Sequence, residues 1–151
     1  MYRWVRRLLA TGLGLVAAGA VSIGCTGSNV GDPCTPESVP EGGFEASEAY
    51  VETSSVQCRT RVCLWYKLEG DPNKIVGTDS CDDPTSGECV TEEDLDQHAF
   101  CTCRCDAPDD VDSPTCSCPS GFTCEELVTV TEAGQGVRGS YCVKDEALDG
   151  V

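Results

Sequence analysis

Thirteen cysteines are the residues of this sequence best able to do chemistry, because a thiol can join a second thiol, bind a soft metal ion or attack an electrophile. Two clusters, at 101–105 and 116–118, leave a single residue between successive cysteines. Structural zinc sites favour two to four intervening residues. In a strand, residues two apart point to the same side, so alternate cysteines can each bridge to a neighbouring segment. We therefore expect disulfides here, with a thiolate metal cluster near His98 as the alternative.

The first 24 residues have the layout of an export signal. Three arginines precede residue 8, and residues 8–24 then carry no charge and are rich in Leu, Val, Ala and Gly. A membrane-spanning helix is the alternative, but it requires roughly 20 strongly apolar residues, and several glycines dilute this run. We expect residues 1–24 to be a removable signal peptide.

The signal ends at residues 21–25, which read VSIGC and resemble the lipobox of bacterial lipoproteins. Gly24 and Cys25 match that motif, whereas Ser22 stands where the family usually has Leu. The resemblance implies that Cys25 receives a diacylglyceryl thioether, that the preceding bond is cut, and that two or three acyl chains anchor the protein stably. Ordinary secretion, with cleavage after Ala20 or Gly24, remains the alternative.

Cysteine parity bears on the same choice. If Cys25 is lipidated, an even number of cysteines remains and can pair completely, whereas an unmodified Cys25 leaves one thiol over in an oxidising compartment. Which cysteines pair with which is left open. The disulfide candidates are Cys34, Cys58, Cys63, Cys81, Cys89, Cys101, Cys103, Cys105, Cys116, Cys118, Cys124 and Cys142.

Charge excludes one class of partner. All 26 acidic residues follow Cys25, so the exported part is more negative than the −16 of the whole chain. Such a protein lacks the Lys/Arg patches that neutralise phosphates, and we expect no nucleic-acid binding. His98 is the single histidine and no recognisable nucleophile accompanies it. We therefore expect neither catalysis nor a cofactor.

The exported part divides into a lipidated Cys and flexible tether at 25–33, a cysteine-rich domain at 34–145 and a frayed tail at 146–151. Aromatic residues are few, so an oily core would be thin and disulfides should supply much of the stability. The expected fold is small, disulfide-rich and mainly β, with short antiparallel hairpins and little helix. Trp65, Tyr66 and Tyr141 are expected to be packing residues.

Apolar residues alternate over 56–68, which predicts a strand with one mainly apolar face. Residues 70–73 favour a turn, and 74–78 would return as the partner strand. Two further strands are expected at 100–105 and 122–131.

The remaining elements follow from local signals. Thr91 to Asp94 has the form of a capping box, which predicts a short helix over 92–97. Residues 140–144 are expected to pair with the strand at 122–131, and 106–114 to form an acidic loop. That loop holds the candidate calcium ligands, since carboxylates suit this cation, although no EF-hand pattern is present and a solvated loop is the alternative. These residues are Asp106, Asp109, Asp110 and Asp112.

Two longer patterns resemble known families. Residues 116–124, CSCPSGFTC, resemble the C-terminal signature of epidermal-growth-factor-like modules, except that the last cysteine follows the aromatic by two positions. The second resemblance is to uncharacterised cysteine-rich lipoproteins of myxobacterium-like bacteria. It rests on the lipobox, the segment 116–124, FCTCRCD at 100–106 and GSYCV at 139–143. The resemblance to these lipoproteins implies a location in the cell envelope and no known activity.

The sequence thus predicts a lipoprotein anchored in the cell envelope, at the outer membrane or surface, with a structural or interaction role. Its partners would be the membrane, through lipid on Cys25, and an unidentified protein or glycan. The alternative is a secreted or surface binding module of the adhesin or inhibitor type, which Ca²⁺ would stabilise. A metal-binding or redox envelope protein is the third hypothesis.

Overall fold

The computed structural model describes residues 29–109, 112–128 and 137–149. These residues form three small sheets, two short helices and six disulfides, which confirms the small, disulfide-rich, mainly β fold. In chain order the elements are β1 (Ala49–Thr53), β2 (Val62–Tyr66), β3 (Asp71–Ile75), β4 (Cys89–Val90), α1 (Glu92–His98), β5 (Ala99–Thr102), β6 (Arg104–Asp106), β7 (Phe122–Val128), β8 (Gly139–Lys144) and α2 (Asp145–Asp149).

Strand β2 is the centre of the molecule. It lies between β1 and β5 in an antiparallel sheet that is covered on both faces. Cys63 and Trp65 belong to one apolar cluster, whereas Leu64 and Tyr66 belong to the other. Because successive side chains of a strand point to opposite faces, a strand buried on both sides has no polar face. The prediction of a single apolar face is therefore wrong for this strand.

The predicted hairpin is also wrong. Residues 55–61 are not strand but the loop between β1 and β2, which we call the 55–61 loop. The amide of Ser55 donates to the carbonyl of Arg61, and Cys58 is bonded to Cys101. The strand begins only at Val62, and its partner along the chain is the preceding β1.

Residues 70–75 likewise differ from the predicted turn and return strand. Gly70 forms a bridge with Phe44, and β3 begins at once with Asp71. β3 pairs with β4, in parallel, instead of returning along β2. Glycine is required at position 43, where φ is +94° and a Cβ atom would collide with the backbone of Gly70. This close approach allows the two backbone hydrogen bonds between Phe44 and Gly70 that join the segment before β1 to the start of β3.

The predicted strand at 100–105 divides at Cys103 into β5 and β6. β5 belongs to the first sheet, whereas β6 belongs to a second antiparallel sheet in the order β6-β8-β7. The Thr102 hydroxyl donates to the carbonyl of Cys142, and the amide of Cys142 donates to the carbonyl of Cys103. The chain therefore passes directly from one sheet to the other at this point.

The second predicted hairpin is confirmed, since β7 and β8 pair in antiparallel register with Cys124 opposite Cys142. Residues 129–131 of the predicted strand lie outside the described residues. The helix is confirmed with its capping box: Thr91 Oγ1 accepts from the amide of Asp94, and Asp94 Oδ2 accepts from the amide of Thr91. These bonds satisfy amides that the first turn leaves without a helical partner.

The end of the domain is more ordered than the frayed tail that the sequence suggested for 146–151. Residues 145–149 form α2, and Ala147 is fully buried beside Leu64, Phe100 and Val143. Ala147 thus contributes to the cluster on one face of the first sheet. Residues 150 and 151 lie outside the described residues.

Candidate functional site

All twelve cysteines after Cys25 are paired in disulfides, whereas Cys25 itself lies outside the described residues. Three disulfides join residues within 34–101, and three join residues within 103–142, so the framework consists of an N-terminal and a C-terminal set. The pairs are Cys34–Cys63, Cys58–Cys101, Cys81–Cys89, Cys103–Cys116, Cys105–Cys124 and Cys118–Cys142.

The alternate cysteines at 101–105 bridge to three different segments, at Cys58, Cys116 and Cys124. Sulfur atoms of neighbouring disulfides also lie close together, and Cys142 Sγ is 3.8 Å from Cys103 Sγ. The groups of three potential metal ligands among the described residues consist of such disulfide sulfurs. A thiolate metal site requires deprotonated, reduced cysteines, so it would form here only after these bonds are broken.

The other predicted ligands are dispersed. Asp106, Asp109 and Asp112 are exposed, and none belongs to a group of three close ligands in the described part of the chain. The carboxylate of Asp106 instead accepts from the amide of Ala107 at 3.0 Å. Asp110 lies outside the described residues. The described part of the chain therefore does not gather Asp106, Asp109 and Asp112 into a calcium site.

His98 is held by the backbone. Its Nδ1 atom lies 2.7 Å from the carbonyl oxygen of Tyr66, so this nitrogen carries the donated proton. The imidazole is half-buried at the end of α1 and lines a cavity with Asp94 and Glu69. The described structure does not bring His98 into the groups of cysteine sulfurs.

The N-terminal end of the described chain is fixed to the domain. Asn29 Oδ1 accepts from the amide of Arg59 at 2.9 Å. The amide of Gly31 donates to the carbonyl of Cys101, and the amide of Cys101 donates to the carbonyl of Asp32. The flexible tether predicted for 25–33 is thus ordered from Asn29 onward, because its backbone continues the pairing at the edge of β5.

The 55–61 loop lies beside this entry point. Gln57 Nε2 donates to the carbonyl of Thr35 at 2.7 Å, and Gln57 Oε1 accepts from the Thr35 amide at 3.1 Å. Val56 is 75% exposed, whereas Val76, the other exposed large hydrophobic residue in the described part, is 40% exposed. A protruding apolar side chain thus sits next to the place where the chain enters the domain.

Three aromatic rings line a cavity of about 360 Å³, which we call the aromatic cavity. Phe44 stacks on Trp65 with ring centroids 5.5 Å apart and meets Tyr50 edge-on at 4.6 Å. The β1–β2 register places Tyr50 opposite Trp65, and Glu52 follows on the same face of β1. These rings form an apolar wall with a carboxylate beside it.

Two polar atoms in the walls of the aromatic cavity have no hydrogen-bond partner in the described structure. They are Trp65 Nε1 and Glu52 Oε1, and both are buried. The second oxygen of Glu52 accepts from the amide of Glu37 at 3.0 Å. Buried polar atoms are nearly always bonded. Because these two atoms are closed to solvent, a bound donor would reach Glu52, and a bound acceptor would reach Trp65, after a small shift of the side chains that line the cavity.

The aromatic residues that the sequence predicted as packing residues are buried. Trp65, Tyr66 and Tyr141 are 2%, 7% and 0% exposed. Sequence reasoning missed the cavity, because it did not recognise β1 and so could not place Tyr50 and Glu52 beside Trp65. The alternation of Tyr50, Glu52 and the β-favouring Val51 and Thr53 was the available signal.

The pKa of the Tyr50 hydroxyl is higher than that of an ordinary tyrosine. Its hydroxyl donates to Glu48 Oε2 at 2.7 Å, and this bond, with burial and the negative charge of Glu48, raises the pKa of Tyr50 to about 12. The raised pKa favours folding below the unfolded value of about 10, and this contribution is lost as the pH rises through about 12.

We expect Glu48→Gln to lower the pKa of Tyr50 toward about 10, since the amide removes the charge that opposes the phenolate. Absorbance at the phenolate band during an alkaline titration measures the change, with Tyr50→Phe as the blank that isolates this residue. An unchanged titration curve in Glu48→Gln would contradict the assignment.

No protein-family model, curated protein or solved structure matches this chain. Among the described residues, neither α1 nor α2 has the length and apolar character that a membrane-spanning helix needs.

Proposed function

We propose that this chain is a lipoprotein of the cell envelope that is held at the outer membrane by lipid on Cys25 and acts as a structural or interaction protein. The observation that carries the proposal is the pairing of all twelve later cysteines with one another. Disulfides form and persist in oxidising compartments. Cys25 is then the one cysteine left for a thioether.

A non-catalytic role fits the same arrangement. The twelve cysteines in the described part of the chain are oxidised and so offer no nucleophilic thiolate. His98 holds the carbonyl of Tyr66 through one ring nitrogen. The test of the proposal is metabolic labelling with a fatty-acid analogue, which should label the protein and should fail for Cys25→Ser.

The second candidate is a binding module, and the aromatic cavity is the observation that favours it. Its rings suit the apolar part of a ligand, and an ammonium group would pair with Glu52 and suit an aromatic wall. The acidic composition attracts such a cation. A lysine side chain on a partner protein has this chemistry.

We expect N-acetyl-lysine methylamide to bind the aromatic cavity with a Kd on the order of 0.1–1 mM. Trp65 reports binding, because it is the single tryptophan after residue 4. Glu52→Gln should weaken binding by about tenfold or more, as expected for the loss of a charged partner, whereas Glu93→Gln on α1 should not. Two results would contradict this proposal: Trp65 emission that does not change up to about 10 mM of the lysine derivative, or an equal loss of affinity in both variants.

A further inference from the structure

We propose that the 55–61 loop rests on the membrane that holds the anchor, with Val56 among the phospholipid headgroups and Arg59 and Arg61 against their phosphates. This orientation rests on the proposed lipidation of Cys25. It goes beyond that proposal by assigning one end of the domain as a membrane-contact surface.

The first step is the length of chain between anchor and domain. Asn29 is the fourth residue after Cys25. An extended chain spans at most about 3.6 Å per residue, so Asn29 lies within about 14 Å of the lipidated residue. The lipid thioether keeps Cys25 at the membrane surface. The end of the domain that holds Asn29 must then face the bilayer at close range.

The second step is what Asn29 is attached to. Its side chain accepts from the amide of Arg59, within the 55–61 loop. The Cys58–Cys101 disulfide joins the same loop to β5, and Gln57 is bonded to Thr35 after the entry point. These contacts fix the 55–61 loop to the chain that enters the domain at Asn29. A lipid anchor that holds Asn29 near the membrane therefore holds the loop there as well.

The third step is the chemistry of the loop. Val56 is the most exposed of the large hydrophobic residues described, and two of the few basic residues after Cys25 follow it at 59 and 61. Arginine pairs with phosphate through its planar guanidinium. Arg61 also lines a cleft of about 410 Å³ with Arg104, Thr60 and Ser113. This end offers the groups that a phospholipid surface requires.

Charge makes the orientation specific. The exported part is strongly acidic, so an anionic lipid surface repels most of the domain. When Arg59 and Arg61 face the lipid, their positive charges lie closest to the lipid phosphates. At this short distance, dissolved salt screens the attraction least. A neighbouring copy of the chain or another protein is the competing occupant, and it would keep Val56 away from lipid.

The experiment uses the full chain, expressed and purified as the lipoprotein and reconstituted into vesicles that contain phosphatidylglycerol with brominated acyl chains. Val56→Trp adds a reporter in the loop, and Val76→Trp adds a matched one in the turn after β3. Trp65 is 2% exposed and supplies the background. Bromine quenches tryptophan only at short range.

We expect brominated lipid to reduce the added emission of Val56→Trp by at least about twofold, and that of Val76→Trp by much less. Combining Val56→Trp with Arg59→Gln and Arg61→Gln should reduce this quenching, whereas combining it with Lys67→Gln and Lys74→Gln should not. The mass of the purified protein separates the two proposals. If the measured mass shows no acyl chains on the protein, both the lipoprotein function and the membrane orientation are wrong. Lipid on Cys25 without selective quenching of Val56→Trp overturns the orientation alone.

Discussion

Cys25→Ser is expected to abolish lipid labelling completely and to move the protein from the detergent phase to the aqueous phase in a phase-partition assay. A serine hydroxyl cannot supply the thioether that carries the diacylglyceryl group. Two or three acyl chains provide stable anchoring, at about 0.8 kcal/mol per buried methylene group. Their loss therefore removes the membrane affinity as a whole, and the variant should be released or remain unprocessed.

Ser22→Leu is the matched control for Cys25→Ser. It restores the residue that the lipobox usually has at this place and should be labelled at least as strongly as the natural sequence. Two results would count against lipidation. Detergent partitioning that survives Cys25→Ser would indicate an uncleaved anchor, and an unlabelled, aqueous natural protein would indicate ordinary secretion.

Removing the Cys58–Cys101 disulfide is expected to cost about 4 kcal/mol of unfolding free energy on chain-entropy grounds. The bond joins residues 43 apart, and its cysteines are 2% and 0% exposed, so the paired substitution Cys58→Ala with Cys101→Ala also leaves a void in the core. A domain with a thin core should then be largely unfolded near 37 °C. Urea denaturation followed by circular dichroism measures the loss.

The Cys81–Cys89 disulfide provides the comparison. It closes a separation of only eight residues, and both cysteines are half-buried, so the pair Cys81→Ala with Cys89→Ala should cost about 2.5 kcal/mol. Substituting both partners avoids a lone thiol in either variant. Equal losses in the two variants would show that neither loop length nor burial controls the contribution of these bonds.

Much of the fold class follows from composition and local signals. The number of cysteines and the scarcity of aromatic residues predict a disulfide-rich domain, and the glycine-rich stretch between β7 and β8 separates two strands that do pair. The capping box at Thr91 predicts α1 because it depends only on residues three apart. Such short-range signals are readable because the groups that interact are neighbours in sequence.

The errors concern long-range choices. Alternation over 56–68 is compatible with a strand but says nothing about its partner, and the disulfide at Cys58 instead holds the first half of this segment as a loop. The same alternation puts Cys63 and Trp65 on the opposite face from Leu64 and Tyr66 and predicts that face to be polar, although β2 is covered on both sides. Which neighbours cover a strand is decided by the whole chain, and so are the disulfide pairs. The aromatic cavity depends on the same register and was missed for that reason.

The division of the disulfides into two sets has a consequence for how the protein is made. Every partner required by the cysteines at 34–101 lies within that stretch, and the C-terminal set begins only at Cys103. If the chain is exported as we propose, with its N-terminus first, it presents one complete set of cysteines before the other. Oxidation in step with emergence thus restricts each cysteine to partners in its own half. On that proposed route, the order of emergence excludes most mispaired disulfide forms before the two antiparallel sheets come into contact.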